Sequence, residues 1–218
     1  MKKFSFDTIE DFDRHIGISV PNYEHIVELI SYISSFFIKK NTNVYDMGCS
    51  TGLTLKKLQD MNTAENASFI GYEMSENMRP KELDGIAWIK KDLTDKYIDF
   101  TKASLVLSVF TLQFMDIQDR VKILQKVYES LNEEGALIVC EKTYAEDSFI
   151  NDVFTFSYYD YKQKDFSVEE IMKKQMDLRY IMKPLTVEEN LAMFKKVGFR
   201  KIECFFTSLM FKGWVLIK

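Results

Sequence analysis

The sequence predicts an α/β fold with a mainly parallel, seven-stranded sheet whose last strand is antiparallel. Three observations carry this. From residue 43 onward, short apolar runs alternate with helical patterns, as they do when helices pack on a sheet. Several runs, such as "ASLVLSVF" at 103–110, are almost continuously apolar, as expected of strands covered on both faces. The final two runs, 201–207 and 212–218, are joined by only a few residues, too few for the crossover that a parallel pair needs.

The elements follow in order. Residues 4–39 hold a segment and then a long helix, "YEHIVELISYISSFFIK". Strands are expected at 43–47, 68–73, 86–92, 103–110 and 136–142. "DIQDRVKILQKVYESLN" places Val121, Leu124, Val127, Tyr128 and Leu131 on one helical face, with Gly135 as the stop. "TVEENLAMFKKVGF" opens with Thr186 and Glu189 at capping-box spacing and stops at Gly198. Residues 144–182 interrupt the alternation with a helical insertion rich in aromatic and charged residues. Within it, 167–182 reads as one helix opened by Ser167 and Glu170. Such an insertion suits a lid, a subunit contact or a plain helical side layer. No repeat, low-complexity tract or linker divides the chain. It reads as a single domain, 1–218, with an N-terminal helical segment at 1–40 and the insertion at 144–182.

Composition narrows the function classes. The chain is 46% hydrophobic and 28% charged with a net charge of −4, which gives no global attraction to nucleic acid. Cys49, Cys140 and Cys204 are widely spaced and odd in number, so neither a disulfide framework nor a metal site is expected; Cys140 and Cys204 lie in apolar runs and read as core residues. The opening "MKKFSFDTIEDFDRH" lacks an apolar signal segment, and no run reaches the roughly 20 apolar residues of a membrane span. A cytoplasmic protein with no membrane association is expected. His15 and His25 have no partners at motif spacing and read as structural.

The chemistry concentrates at "VYDMGCSTG", residues 44–52. A strand ends in Asp46, and Gly48 and Gly52 bracket a turn that leads into a helix. Glycines there let backbone approach a ligand, and a helix N-terminus offers free N–H donors. In open α/β sheets the ligand crevice lies at the carboxyl ends of the strands. The next strand ends in Glu73, an acid placed to accept from both hydroxyls of a ribose. The third ends near Asp92, which can accept from an adenine amino group, while Leu93 supplies a backbone N–H. The spacing G-x-x-x-G behind an acid fits the S-adenosylmethionine (SAM) turn of a Rossmann-like class I methyltransferase fold better than a dinucleotide site, which would want G-x-G-x-x-G. Cys49 and Ser50 belong to the turn, and Ser108 and Val109 end the fourth strand beside it.

"VPNY" (20–23), "VYDMGCSTG" (44–52), "FTLQF" (110–114) and "EK" (141–142) occur in an order that resembles the carboxy-S-adenosylmethionine synthase family, along nearly the whole chain. The resemblance implies SAM or carboxy-SAM as cofactor, prephenate as the small-molecule substrate, and phenylpyruvate as second product, with a sulfonium ylide capturing the carbon dioxide that prephenate loses. It also implies a homodimer that serves tRNA wobble-uridine modification through a partner enzyme, without itself binding nucleic acid. Carried over by position, Tyr23 contacts SAM, Gly48 and its neighbours form the methionine-end turn, Glu73 is the ribose acid (usually Asp in the family), and Asp92 and Leu93 take the adenine.

Three departures stand out. Val109 occupies the place of a family asparagine. "MSENMRPKELDGIAW" is about a dozen residues shorter than the resembled family's helix after the ribose acid, which implies an abbreviated crevice wall. Gln175 falls where the family has the arginine that grips the transferred carboxylate across the dimer, next to a retained Lys174. Arg179, four residues after Gln175 on the expected helix, is a candidate replacement assisted by Lys174. Tyr158, Tyr159 and Tyr161 suit either a pocket wall or a side layer, and Glu141 and Lys142 suit either the crevice or a simple ion pair. No residue is singled out as catalytic, and no metal cluster is visible. Three functions therefore stay open: a carboxy-SAM synthase, a methyltransferase acting on a small molecule, and a SAM-binding protein without catalysis.

Overall fold

The computed structural model describes residues 11–80 and 84–218; residues 4–10 of the opening segment and 81–83 of the shortened stretch lie outside them. The strands are β1 (Asn43–Met47), β2 (Ser68–Glu73), β3 (Ile86–Lys90), β4 (Ala103–Val109), β5 (Leu131–Tyr144), β6 (Leu185–Thr186), β7 (Lys201–Ser208) and β8 (Phe211–Ile217). They form one sheet in the order β3-β2-β1-β4-β5-β8-β7, with the two-residue β6 set off this path against the end of β5. β1 pairs in parallel with β2 and β4, as do β2 with β3 and β4 with β5. β8 runs antiparallel to both β5 and β7, as its short connection requires. The chain is thus an α/β Rossmann-like fold, and the strand order reverses between β1 and β4.

Seven helices are described: α1 (Phe12–Ser19), α2 (Tyr23–Ser34), α3 (Leu53–Met61), α4 (Ile117–Ser130), α5 (Ser148–Lys162), α6 (Val168–Leu178) and α7 (Val187–Val197). Strand periodicity divides the core into two layers. Leu105 and Leu107 of β4 join Ile26, Ile30, Leu55 and Leu58 on one face of the sheet, while Val106 joins Ile123, Leu124, Val127 and Phe194 on the other. Leu124 is fully buried, and its truncation to Ala costs about 2–5 kcal/mol.

Several boundaries differ from the sequence reading. The helix expected to run to residue 39 ends at Ser34. The Ser31 and Ser35 hydroxyls bond back to Val27 and Tyr32 carbonyls, each at 2.7 Å, and the Phe36 and Phe37 N–H groups close tight four-residue turns on the Ile33 and Ser34 carbonyls. β5 begins at Leu131 rather than 136, because Leu131 pairs with Ala103 across a register shift. The helix read over 167–182 stops at Leu178, whose carbonyl takes both Ile181 and Met182 N–H groups ahead of Pro184. Both expected capping boxes, Ser167/Glu170 and Thr186/Glu189, are formed. Cys140 is buried, but Cys204 is exposed and corrects the core reading. It lies on β7, at the edge of the sheet, beside an irregularity between Cys204 and Phe206.

Candidate functional site

The carboxyl ends of the central strands open on a cavity of about 730 Å³, walled on its far side by α1, α5 and α6. Its floor is the glycine turn. Gly48 and Cys49 N–H groups donate to the Tyr72 carbonyl at 2.7 and 3.0 Å, which suspends the turn from β2. Gly48 has φ +71°, and a Cβ there would come within 2.6 Å of the Thr111 side chain, so both conformation and space demand glycine. Gly52, with φ +81°, starts α3.

Glu73 locks this turn. Its Oε2 accepts from Ser50 N–H at 3.0 Å and its Oε1 from Ser75 N–H at 2.8 Å. Trp88 Nε1–H donates to the Ser50 carbonyl at 2.9 Å, and the Thr51 hydroxyl donates to Asp13 at 2.7 Å, drawing α1 against the turn. Asp46 is buried, and its Oδ1 has no hydrogen-bond partner among the described residues. Burial, with Glu73 adding like charge, pushes its carboxyl up to about 7. Tyr23 packs on Phe110 at 6.4 Å, and burial, then Asp46, push its hydroxyl upward. Asp92 accepts from the N–H and hydroxyl of Thr94, each at 2.8 Å.

The sequence candidates divide cleanly. Tyr23, Asp46, Gly48, Cys49, Ser50, Glu73, Asp92, Leu93 and Val109 line the cavity, and so do Lys174 and Gln175. Gly52 and Ser108 do not. Ser108 is fully buried with its hydroxyl unpartnered, on the opposite side of β4 from Val109. Arg179 is also outside the lining. It caps α6, exposed, with its guanidinium 4.5 Å from the Tyr180 ring centroid and bonded to that tyrosine's hydroxyl. The shorter helix therefore leaves no relocated arginine inside this chain's cavity. Tyr158 and Tyr159 line the cavity, while Tyr161 packs against the core beside it.

The remaining lining residues include Lys142, one of the crevice candidates, together with Lys162 and His15, which the sequence did not place there. "FTLQF" forms a turn in which Gln113 accepts from Lys142 N–H at 2.9 Å and donates to the Phe110 carbonyl at 3.3 Å, tying the ends of β4 and β5 together. Glu141 does not pair with Lys142. It is buried toward Arg120, and burial raises it to about 8 against the pull of Arg120 and the N–H groups of Leu112, Gln113 and Thr111. Arg120, also buried, donates to the carbonyls of Met115 at 3.0 Å and Lys183 at 2.5 Å. Lys142, Lys162 and His15 line the cavity instead. Burial lowers the His15 imidazole to about 4, with Lys174 and Lys162 adding like charge. His25 is exposed beside Glu28, 3.6 Å away. No cluster of three or more metal-type side chains occurs among the described residues.

The arrangement suits a cationic nucleoside. Asp46 brings a buried, unpartnered acceptor and Glu73 a second acid to the turn, and both favour positive charge nearby. Comparison with known proteins agrees. The model of the methyltransferase domain family matches residues 44–135. Human N-acetylserotonin methyltransferase bound to SAM superposes with a TM-score of 0.59 at 13% identity, over 89% of this chain and 54% of that one. An O-methyltransferase-class structure from Nostoc punctiforme gives 0.60 at 20% identity, over 89% of this chain and 56% of that one. This chain spans about half the length of both structures, and they share its fold. Among curated proteins, the carboxy-S-adenosyl-L-methionine synthase of Staphylococcus epidermidis is 36% identical over 98% of this chain and 95% of its own length. That of Wolinella succinogenes is 33% identical over 100% and 94%, and that of Methylococcus capsulatus 32% over 95% and 89%. Near-full-length identity at this level, on a methyltransferase fold with a SAM-type turn, makes the chain a member of the carboxy-S-adenosyl-L-methionine synthase family of SAM-dependent transferases.

Proposed function

We propose that the protein converts SAM and prephenate into carboxy-SAM and phenylpyruvate as a cytoplasmic homodimer, and that its product feeds tRNA wobble-uridine modification. The observation that carries this is the sharing of one cavity by the SAM-type turn and the ammonium groups of Lys142, Lys162 and Lys174. An ordinary methyl transfer from a sulfonium gains nothing from added buried cations, whereas a carboxylate donor does. The stoichiometry is consistent. Loss of carbon dioxide from the ring carboxylate aromatises prephenate as hydroxide leaves, and that hydroxide takes the proton lost by the methyl carbon that gains the carboxylate. Water, phenylpyruvate and carboxy-SAM result.

In this reading Tyr23, Gly48, Cys49 and Ser50 hold the methionine end, Glu73 the ribose, and Asp92 and Leu93 the adenine. Dimerisation is supported by the insertion, which exposes Phe149, Phe156, Met172 and Met176. No direct tRNA contact is invoked. Mass spectrometry tests the reading: SAM and prephenate with purified protein yield a species heavier than SAM by the mass of carbon dioxide. Unchanged SAM, or a methylated acceptor with S-adenosylhomocysteine, would sink it.

A further inference from the structure

We propose that Lys142, Lys162 and Lys174 form, within one chain, an anion subsite that seats a dicarboxylate co-substrate beside the cofactor, so that charge recognition needs no arginine at the position of Gln175. The inference deepens the synthase reading and rests on it for the identity of the co-substrate.

The three lysines come from β5, α5 and α6 and line the same cavity as the glycine turn. Two share a support: the ammonium groups of Lys142 and Lys162 lie 5.2 and 5.7 Å from the Tyr158 ring centroid. That ring is fixed, because its hydroxyl donates to the Ser19 carbonyl at 2.8 Å and its edge packs on Phe211 at 5.3 Å. Lys162 is only 6% exposed and also faces the Phe166 ring at 4.7 Å. Among the described residues, no carboxylate makes an ion pair with Lys142 or Lys162.

Such a cluster is costly in the free protein. Buried cations lose hydration and repel one another, and an aromatic face offsets only about 0.5–2 kcal/mol of this. Burial lowers Lys142 and Lys174 to about 8 and lowers Lys162 too, with Lys162 repelling the first two. An anion in their midst reverses these costs through charge-assisted hydrogen bonds. Two carboxylates balance the ammonium groups of Lys142 and Lys162, whereas a single one leaves a buried charge over. His15, held neutral nearby, adds a hydrogen-bonding group without adding charge. Gln175 lines the same space and supplies an amide where a guanidinium would add further repulsion.

The test titrates SAM-loaded protein with prephenate and, separately, with malonate by calorimetry. Wild type is compared with Lys142→Gln, Lys162→Gln and Lys162→Met, which keeps the apolar stem over Tyr158. Lys164→Gln, at an exposed position past the end of α5, is the control. Each cavity variant is expected to weaken both dicarboxylates by about tenfold or more, the loss of one charge-assisted contact, with SAM affinity within about twofold and Lys164→Gln unchanged. Lys162→Arg should recover part of the loss. Undiminished dicarboxylate binding in the cavity variants, or no binding of either probe by wild type, overturns the subsite. If wild type binds both probes through these lysines yet makes no carboxy-SAM, the subsite stands and the synthase reading falls. If wild type makes carboxy-SAM and the variants keep their KM for prephenate, the subsite falls alone.

Discussion

The carboxylate of Glu73, at the end of β2, accepts the Ser50 N–H at 3.0 Å and so fastens the strand carrying one ligand-facing acid to the turn that follows the other. The geometry of the turn therefore depends on one side chain that also lines the cavity. Glu73→Ala is expected to weaken SAM binding by about 1–3 kcal/mol, the value of a charged acceptor with its partners left unpaired. Calorimetry would register this as a 5- to 150-fold rise in Kd, an estimate on the order of that free energy. An unchanged Kd would remove Glu73 from the site.

Asp46 predicts how stability depends on pH. Its folded carboxyl is raised to about 7, while an unfolded Asp titrates near about 4. Between those values the folded state holds a proton that the unfolded chain has lost. Its contribution therefore weakens the fold as pH rises through this window, and the cost is complete above about 7. Asp46→Asn should raise the urea midpoint at pH 8, change it little at pH 4, and flatten the slope between. Glu141, raised to about 8, leaves a residual slope of the same sign. The same substitution should weaken SAM binding, because it removes an acid facing the cavity.

Arg120 and Glu141 are buried together beneath the turn that carries Gln113. Arg120→Met leaves Glu141 without its cation and the Met115 and Lys183 carbonyls without donors. A loss of about 1–3 kcal/mol is expected in urea denaturation, the cost of buried carbonyls left without donors, and the double variant Arg120→Met, Glu141→Gln should recover part of it above pH 8, where Glu141 ionises. A loss below about 1 kcal/mol would show that the pair contributes little.

The exposed aromatics of α5 predict the assembly. Phe149 is 72% and Phe156 63% exposed. Replacing both with Asp should convert the proposed homodimer to a monomer in sedimentation at micromolar concentration, with the thermal midpoint of the protomer little altered. A wild-type protein that already sediments as a monomer rules out the dimer.

Much of this was legible in the sequence because it is governed locally. The strand cores, the acid–glycine turn and both capping boxes follow from short-range sterics and hydrogen bonding. Helix ends were less so: no glycine or proline marks the stop at Ser34, which serine hydroxyls and tight turns produce instead. Val109 and Ser108 were separable only by knowing which face of β4 meets the cavity. The lysine group was legible only in part: Lys174 and Lys142 stood out singly, Lys162 did not. Lys142, Lys162 and Lys174 belong to a strand and two helices with no shared spacing, and only the packing of the insertion over the sheet brings them together. Lys142 did carry a signal, as a strand-end residue, but its neighbour Glu141 suggested the wrong partner.

The bond from Tyr158 to Ser19 joins residues 139 apart in sequence. Loop closure costs more entropy as the enclosed chain lengthens, and contacts of this span slow folding. The ligand cleft is consequently a late-maturing part of the molecule. A nascent chain can pair its first strands well before residue 158 exists, yet it cannot close the cleft until the insertion has been synthesised and docked. Cofactor present during synthesis would therefore find no finished binding site on an N-terminal fragment, and ligand capture would report completion of the whole architecture.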